Sequence, residues 1–188
     1  MKNYPLLLIG VLIIIAGAFS SCEKVAEGLK DSVEVTIYTD LEAPFTAVPD
    51  VNKSTKDGST SFSSSSIIDI SNNDDLEDYL ESIQSIEVTK IKVMITSTSP
   101  SGLALESGYF SITDDVNGDS FGFATPANMP ITVGSQFEIG SDAPGWDTVN
   151  NIIASMHLAT INATGTINND PFEVGFIYIV SVKVVANP

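Results

Sequence analysis

The stretch from Phe172 to Val185 constrains the fold more than any other part of the chain. Phe172, Val174, Phe176, Tyr178, Val180, Val182 and Val184 alternate onto one face, while Ile177, Ile179 and Val185 give the other face an apolar centre. Alternation with period two marks a strand, and a strand apolar on both faces belongs in the middle of a sheet. It needs a neighbour on each side, and the remaining sequence must supply them.

Candidate partners recur along the chain. Val33, Val35 and Ile37 alternate with Glu34, Thr36 and Tyr38, which predicts a first strand. Ala47 to Ser66 is polar and reads as loop around Asp57-Gly58, with strand resuming after Phe62 and its four-serine run and ending near Ile70. Ser71 to Asp75 then offers capping residues, and the spacing of Leu76, Tyr79, Leu80 and Ile83 predicts an amphipathic helix over about 74–85. From Ile86 the period is two again, with Val88, Lys90 and Lys92 on one side and Ile91, Val93 and Ile95 on the other.

Leu103 to Thr113, Phe121 to Phe123 and Ile131 to Val133 give further short strands, joined by a hairpin turn at Asn117-Gly118. A second short helix is expected from Trp146-Asp147, with Val149, Ile152, Ile153 and Met156 as its apolar stripe and Asp147 as its cap, and Leu158 to Ile167 reads as strand. Seven to nine strands and two short helices predict a mainly β domain over residues 33–188. The expected architecture is a two-layer antiparallel β-sandwich, immunoglobulin-like or jelly-roll-like.

The N-terminal segment reads as an address. Met1-Lys2-Asn3 carries one charge, and Leu6 to Phe19 is apolar or small throughout. Fourteen helical residues cover about 21 Å, short of the roughly 30 Å hydrocarbon core, so the segment reads as a leader rather than a span. Ser20-Ser21-Cys22 follows, and Cys22 is the single cysteine, unable to form an internal disulfide. These residues resemble the lipobox of bacterial lipoproteins. The resemblance implies cleavage of residues 1–21, lipidation of Cys22 with diacylglycerol and an acyl chain such as palmitate, and a tether over residues 22–32. More than one chain makes attachment stable. Glu23 after the cysteine favours the outer membrane by that same resemblance.

Charge narrows the partners. The chain has 24 acidic residues against 8 cationic ones, all lysine, for a net charge of -16. Without a guanidinium fork and with this field, nucleic acid is excluded as a partner. The membrane is reached through the lipid at Cys22 rather than through the protein surface, and the remaining partners are a protein or a glycan.

Chemical motifs are sparse. Asp114, Asp115, Asn117 and Asp119 alternate oxygen ligands around a tight turn and resemble the opening of a calcium loop. Counted from Asp115, however, the sixth position is Ser120 instead of glycine and the twelfth is Pro126 instead of a bidentate carboxylate. No cofactor is therefore expected, with Ca2+ as the alternative. His157 is the only histidine, so a zinc site or a Ser-His-Asp triad has too few members. Trp146 and Tyr109, with Phe110, Phe121 and Phe123 nearby in sequence, are candidates for an aromatic sugar platform, although Trp146 at a helix start also suits a hydrophobic staple.

The stretches IDISNNDDLEDYLESIQSIEVTKIKVMI and GTINNDPFEVGFIYIVSVKVVANP are similar to segments of small cell-envelope lipoproteins of Bacteroidota. That resemblance implies an anchored β-sandwich and carries over no active-site residue. The sequence as a whole is thus read as a non-catalytic, lipid-anchored binding or structural module of the bacterial cell envelope. The alternative reading is a calcium-dependent carbohydrate-binding or adhesion module.

Overall fold

In the computed structural model, which describes residues 34–50, 58–156 and 158–187, Glu173–Ala186 forms a 14-residue strand inserted between two others. The expected leader, Cys22, the tether and His157 lie outside the described residues. The strands are β1 (Val35–Ala47), β2 (Thr60–Ile68), β3 (Ile83–Ser99), β4 (Ala104–Asp114), β5 (Ser120–Ala124), β6 (Met129–Pro130), β7 (Gln136–Gly140), β8 (Ala159–Ile167) and β9 (Glu173–Ala186). They form two antiparallel sheets, β1-β9-β3-β7 and β2-β8-β4-β5, with β6 paired to β4.

This order follows from one long folded hairpin. Its tip is the turn between β4 and β5, and its legs pair β4 with β5, β3 with β7, β2 with β8 and β1 with β9. Rolling the ribbon brings β9 against β3 and β8 against β4, which closes a four-strand sheet and a five-strand sheet, the latter counting the short β6, over one core. That arrangement is a jelly-roll sandwich. The two-layer antiparallel expectation holds, and the strand order selects the jelly roll over the immunoglobulin-like alternative.

The apolar alternation of β9 sets the core. Val174, Phe176, Tyr178, Val180, Val182 and Val184 all point inward and are buried. Phe176 stacks on Phe45 of β1 at 5.4 Å and meets Phe110 of β4 edge-on at 5.9 Å, so one strand joins both layers. Burying such a side chain is worth about 2–3 kcal/mol. On its outer face Ile179 is also buried, in register with Glu42 and Lys92, whose aliphatic stems flank it.

Four expectations change. Ile131 to Val133 is not a strand: the chain pairs at Met129–Pro130 as β6, turns, and pairs again at Gln136–Gly140 as β7. Residues 74–85 do not form an α-helix. They run as successive tight turns, with Leu76 N–H bonded to Asn73 C=O, Tyr79 to Leu76 and Ser82 to Tyr79, ending in a 3-10 turn at Leu80–Ser82. Local side chains compete for the backbone here: Asp69 accepts the Ser71 N–H and Asn73 accepts the Asp75 N–H. A short helix is marginal on its own, and this segment has only to carry the chain from Ile68 to Ile83 across the end of the sandwich. The second helix, α1 (Trp146–Ala154), does form, but Gly145 at φ 82° precedes it without a side-chain cap, so Asp147 is a first-turn residue. Met156 lies beyond its end at φ 57° and is exposed. In β3, register shifts between Val88 and Lys90, so Val88 is buried on the same side as Ile91, Val93 and Ile95.

The ends of the sandwich differ. Val35, Ile83 and Ala186 lie in register at one end of the first sheet, and Ile68, Asp114 and Ala159 at one end of the second. The 69–82 crossover joins these two ends, so the start of the described chain, the hairpin tip and the crossover share one end of the molecule.

Candidate functional site

The hairpin tip is held by Asp114, which is 2% exposed. Its Oδ1 accepts the backbone N–H of Val116 at 2.7 Å and of Asn117 at 3.1 Å, and its Oδ2 accepts Asn117 Nδ2 at 3.0 Å and Ser155 Oγ at 3.3 Å. Gly118 takes φ 77°, as the turn requires. Asp114 and Asn117 therefore bind each other and the loop backbone, while Asp115 and Asp119 are exposed beside them. Among the described residues, no group of three or more His, Cys, Asp or Glu side chains is placed to hold a metal.

The aromatic candidates separate. Trp146 is 7% exposed, donates Nε1–H to the Val88 carbonyl at 3.2 Å and packs edge-on against Phe121. It is a core residue that fastens α1 to β3. Phe110 and Phe121 are buried, and Phe123 packs in the same aromatic cluster against Phe137 and Tyr178. Tyr109 alone faces solvent, at 50% exposure. A Cβ on Gly122 would lie 2.6 Å from the Tyr109 Cζ, so the ring lies diagonally across that glycine on β5.

Register places Tyr109 within a larger surface. The outward positions of the second sheet are Ser61, Ser63, Ser65 and Ile67 on β2, and Thr160, Asn162, Thr164 and Thr166 on β8. They continue through Ser107, Tyr109, Ser111 and Thr113 on β4 to Ser120, Gly122 and Ala124 on β5. None of these is a carboxylate or an amine; the one charge on this side is Glu106, the bulged residue between Leu105 and Ser107 near one end of β4. The outer face of the first sheet is different: Asp40, Glu42, Glu87 and Glu138 are interleaved with Lys90, Lys92 and Lys183, every lysine among the described residues. Lys90 Nζ lies 3.5 Å from Glu138 Oε1, an exposed pair worth little in stability.

A groove of about 830 Å³ runs between β1, the end of β2 and the crossover. Asp40, Glu42, Asp69, Asp74 and Asp75 line it without a lysine. Asp75 Oδ2 accepts Thr39 Oγ1 at 2.6 Å, and Asp40 Oδ1 accepts Ser181 Oγ at 2.6 Å. The groove can hold a cationic or hydrogen-bond-donating group and repels anions. Sequence reasoning missed it because its carboxylates come from separate segments with no common spacing. The neutral face was half legible: the alternate serines of β2 and the polar alternation of β8 are visible in sequence, but only register sets them side by side.

No family model matches the chain, and no curated protein is similar to it. Among solved structures it is similar to that of infectious bursal disease virus Gx strain, at 12% identity and TM-score 0.27, over 84% of this chain and 33% of that one, so it spans about a third of that protein's length. It is also similar to Desmodium yellow mottle tymovirus, at 11% identity and TM-score 0.31, over 81% and 90% of the two chains. A third is the TmCBM61 structure in complex with β-1,4-galactotriose, at 10% identity and TM-score 0.31, over 82% and 88%. These likenesses are distant, and the fold is defined by the strand order itself.

Proposed function

We propose that this chain is a non-catalytic, lipid-anchored binding module of the bacterial cell envelope, held through Cys22 at the outer membrane after loss of residues 1–21. The observation that supports the reading is where β1 begins. Glu34 leads into β1 at the end of the sandwich that also carries the crossover and the hairpin tip. A tether over 22–32, whose ten residues beyond the cysteine reach at most about 35 Å, brings that end toward the bilayer and leaves the sheet faces and the opposite loops free for a partner. The membrane-side end is acidic, with Asp74, Asp75, Glu77, Asp78, Asp115 and Asp119. Anionic head groups repel such a surface, so the domain stands off its membrane on the tether.

The non-catalytic part rests on the groove. Two of its carboxylates, Asp40 and Asp75, are engaged by the Ser181 and Thr39 hydroxyls, which supports a binding rather than an acid-base role for them. The test is fatty-acid labelling of cells expressing the full chain and Cys22→Ala. The proposal expects label on the first, which runs as the shorter, cleaved form, and on the second no label and the longer form that keeps residues 1–21. Absence of label on the unmutated chain, or equal label on both, would overturn the anchoring.

A further inference from the structure

We infer that the outer face of the β2-β8-β4-β5 sheet is a platform for a neutral polysaccharide chain, with the Tyr109 ring as its stacking surface. The inference rests on reading the protein as a binding module and supplies the ligand class of that module. In a chain of net charge -16, a solvated sheet face of this extent whose one carboxylate is Glu106, at the bulge near one end of β4, departs from the rest of the surface. The departure reaches β2, an edge strand, whose outward Ser61, Ser63 and Ser65 lack the charges that commonly keep exposed edges from pairing.

Chemistry then selects the ligand. Serine, threonine and asparagine side chains both donate and accept, as sugar hydroxyls do, so each can meet a hydroxyl in either sense. An anionic polymer is repelled by the field of the whole protein, and a cationic one is drawn to the groove carboxylates instead. A neutral polymer lying across Tyr109 and the serine and threonine rows, clear of Glu106 at the bulge, can bind without desolvating a carboxylate. Gly122 leaves room for the Tyr109 ring to lie across β5, where the flat π-face can take the C–H face of a pyranose. The four rows of outward residues, repeating at about 6.7 Å along the strands, extend over about 20 Å, the length of a short oligosaccharide.

The test is affinity electrophoresis of the detergent-purified protein in native gels containing soluble β-1,4-galactan, β-1,4-mannan or, as the anionic counterpart, polygalacturonate. The expected result is retardation by a neutral polymer and none by polygalacturonate. Tyr109→Ala and Gly122→Val, the second displacing the ring, each weaken retention about tenfold, and Tyr109→Phe retains it within about threefold. Tyr38→Ala, which removes an exposed tyrosine from the other sheet, leaves it unchanged. Thermal melts establish that the variants are folded. Failure of both neutral polymers to retard the protein, equal retardation by polygalacturonate, or undiminished retention by folded Tyr109→Ala would overturn the inference. Loss of the lipid anchor alone would leave retardation intact, and loss of retardation alone would leave anchoring intact, so the two readings fail separately.

Discussion

Asn150 Oδ1 accepts the backbone N–H of Val88 at 2.7 Å, and from the same helix Trp146 Nε1 donates to the Val88 carbonyl at 3.2 Å. Both backbone groups of one strand residue are thus satisfied by α1. The reason lies in the sheet: β7 pairs with β3 only from Lys90 to Met94, so Val88 lies beyond the paired stretch, at the bulge. A buried N–H left without a partner there costs about 1–3 kcal/mol. Asn150→Ala is therefore expected to lower stability by about 2 kcal/mol in urea unfolding, and an unchanged midpoint would show that the helix does not serve this role.

Tyr178 makes the opposite prediction. Its hydroxyl is buried with no hydrogen-bond partner among the described residues, and desolvation pushes its phenol well above the ordinary tyrosine range. Tyr178→Phe removes a polar atom that gains nothing from burial and keeps the stacking on Phe123. The expected result is a gain of about 1 kcal/mol, read as a higher melting temperature, and a comparable loss would show that the hydroxyl has a partner.

The tip loop predicts a response to mutation rather than to metal. Asp114 organises the turn through donors from Val116, Asn117 and Ser155, so Asp114→Ala is expected to cost about 2 kcal/mol in calcium and in chelator alike. Millimolar calcium is expected to leave the melt of the unmutated protein in place. A calcium-dependent rise abolished by Asp115→Ala and Asp119→Ala would instead establish a metal loop, because a ligand bound only by the native state raises its stability.

Close packing gives a further prediction at Gly165. It lies in register with Phe62, whose Cε1 would be 2.7 Å from an added Cβ, while the Ser107 carbonyl oxygen would overlap it. Gly165→Ala is expected to destabilise by about 1–3 kcal/mol through this overlap, against a small change at the open turn glycine Gly102 replaced by asparagine.

What the sequence made legible follows its periodicities. The two-faced apolar pattern of 172–185 identified the central strand, and the Asn117-Gly118 turn identified the hairpin tip, because both signals are local. Leu76 and Leu80 carried helical spacing yet lie in tight turns, since Leu76 needs only one buried anchor point and the surrounding Asp and Asn side chains bind the backbone instead. The Val88 phase error came from a bulge, where a single inserted residue reverses the face of everything before it. Trp146 at a helix start suits a staple by sequence alone, whereas nothing local tells whether Tyr109 faces the core or solvent. Burial separated them, and burial depends on partners such as Val88 and Gly122 that are distant in sequence.

The measurement that tests the account most directly is the mass of the N-terminal peptide of the protein taken from bacterial membranes. The account predicts a polypeptide beginning at Cys22 and carrying a diacylglyceryl group and an amide-linked acyl chain. A chain retaining residues 1–21, or one beginning elsewhere with an unmodified Cys22, would contradict it.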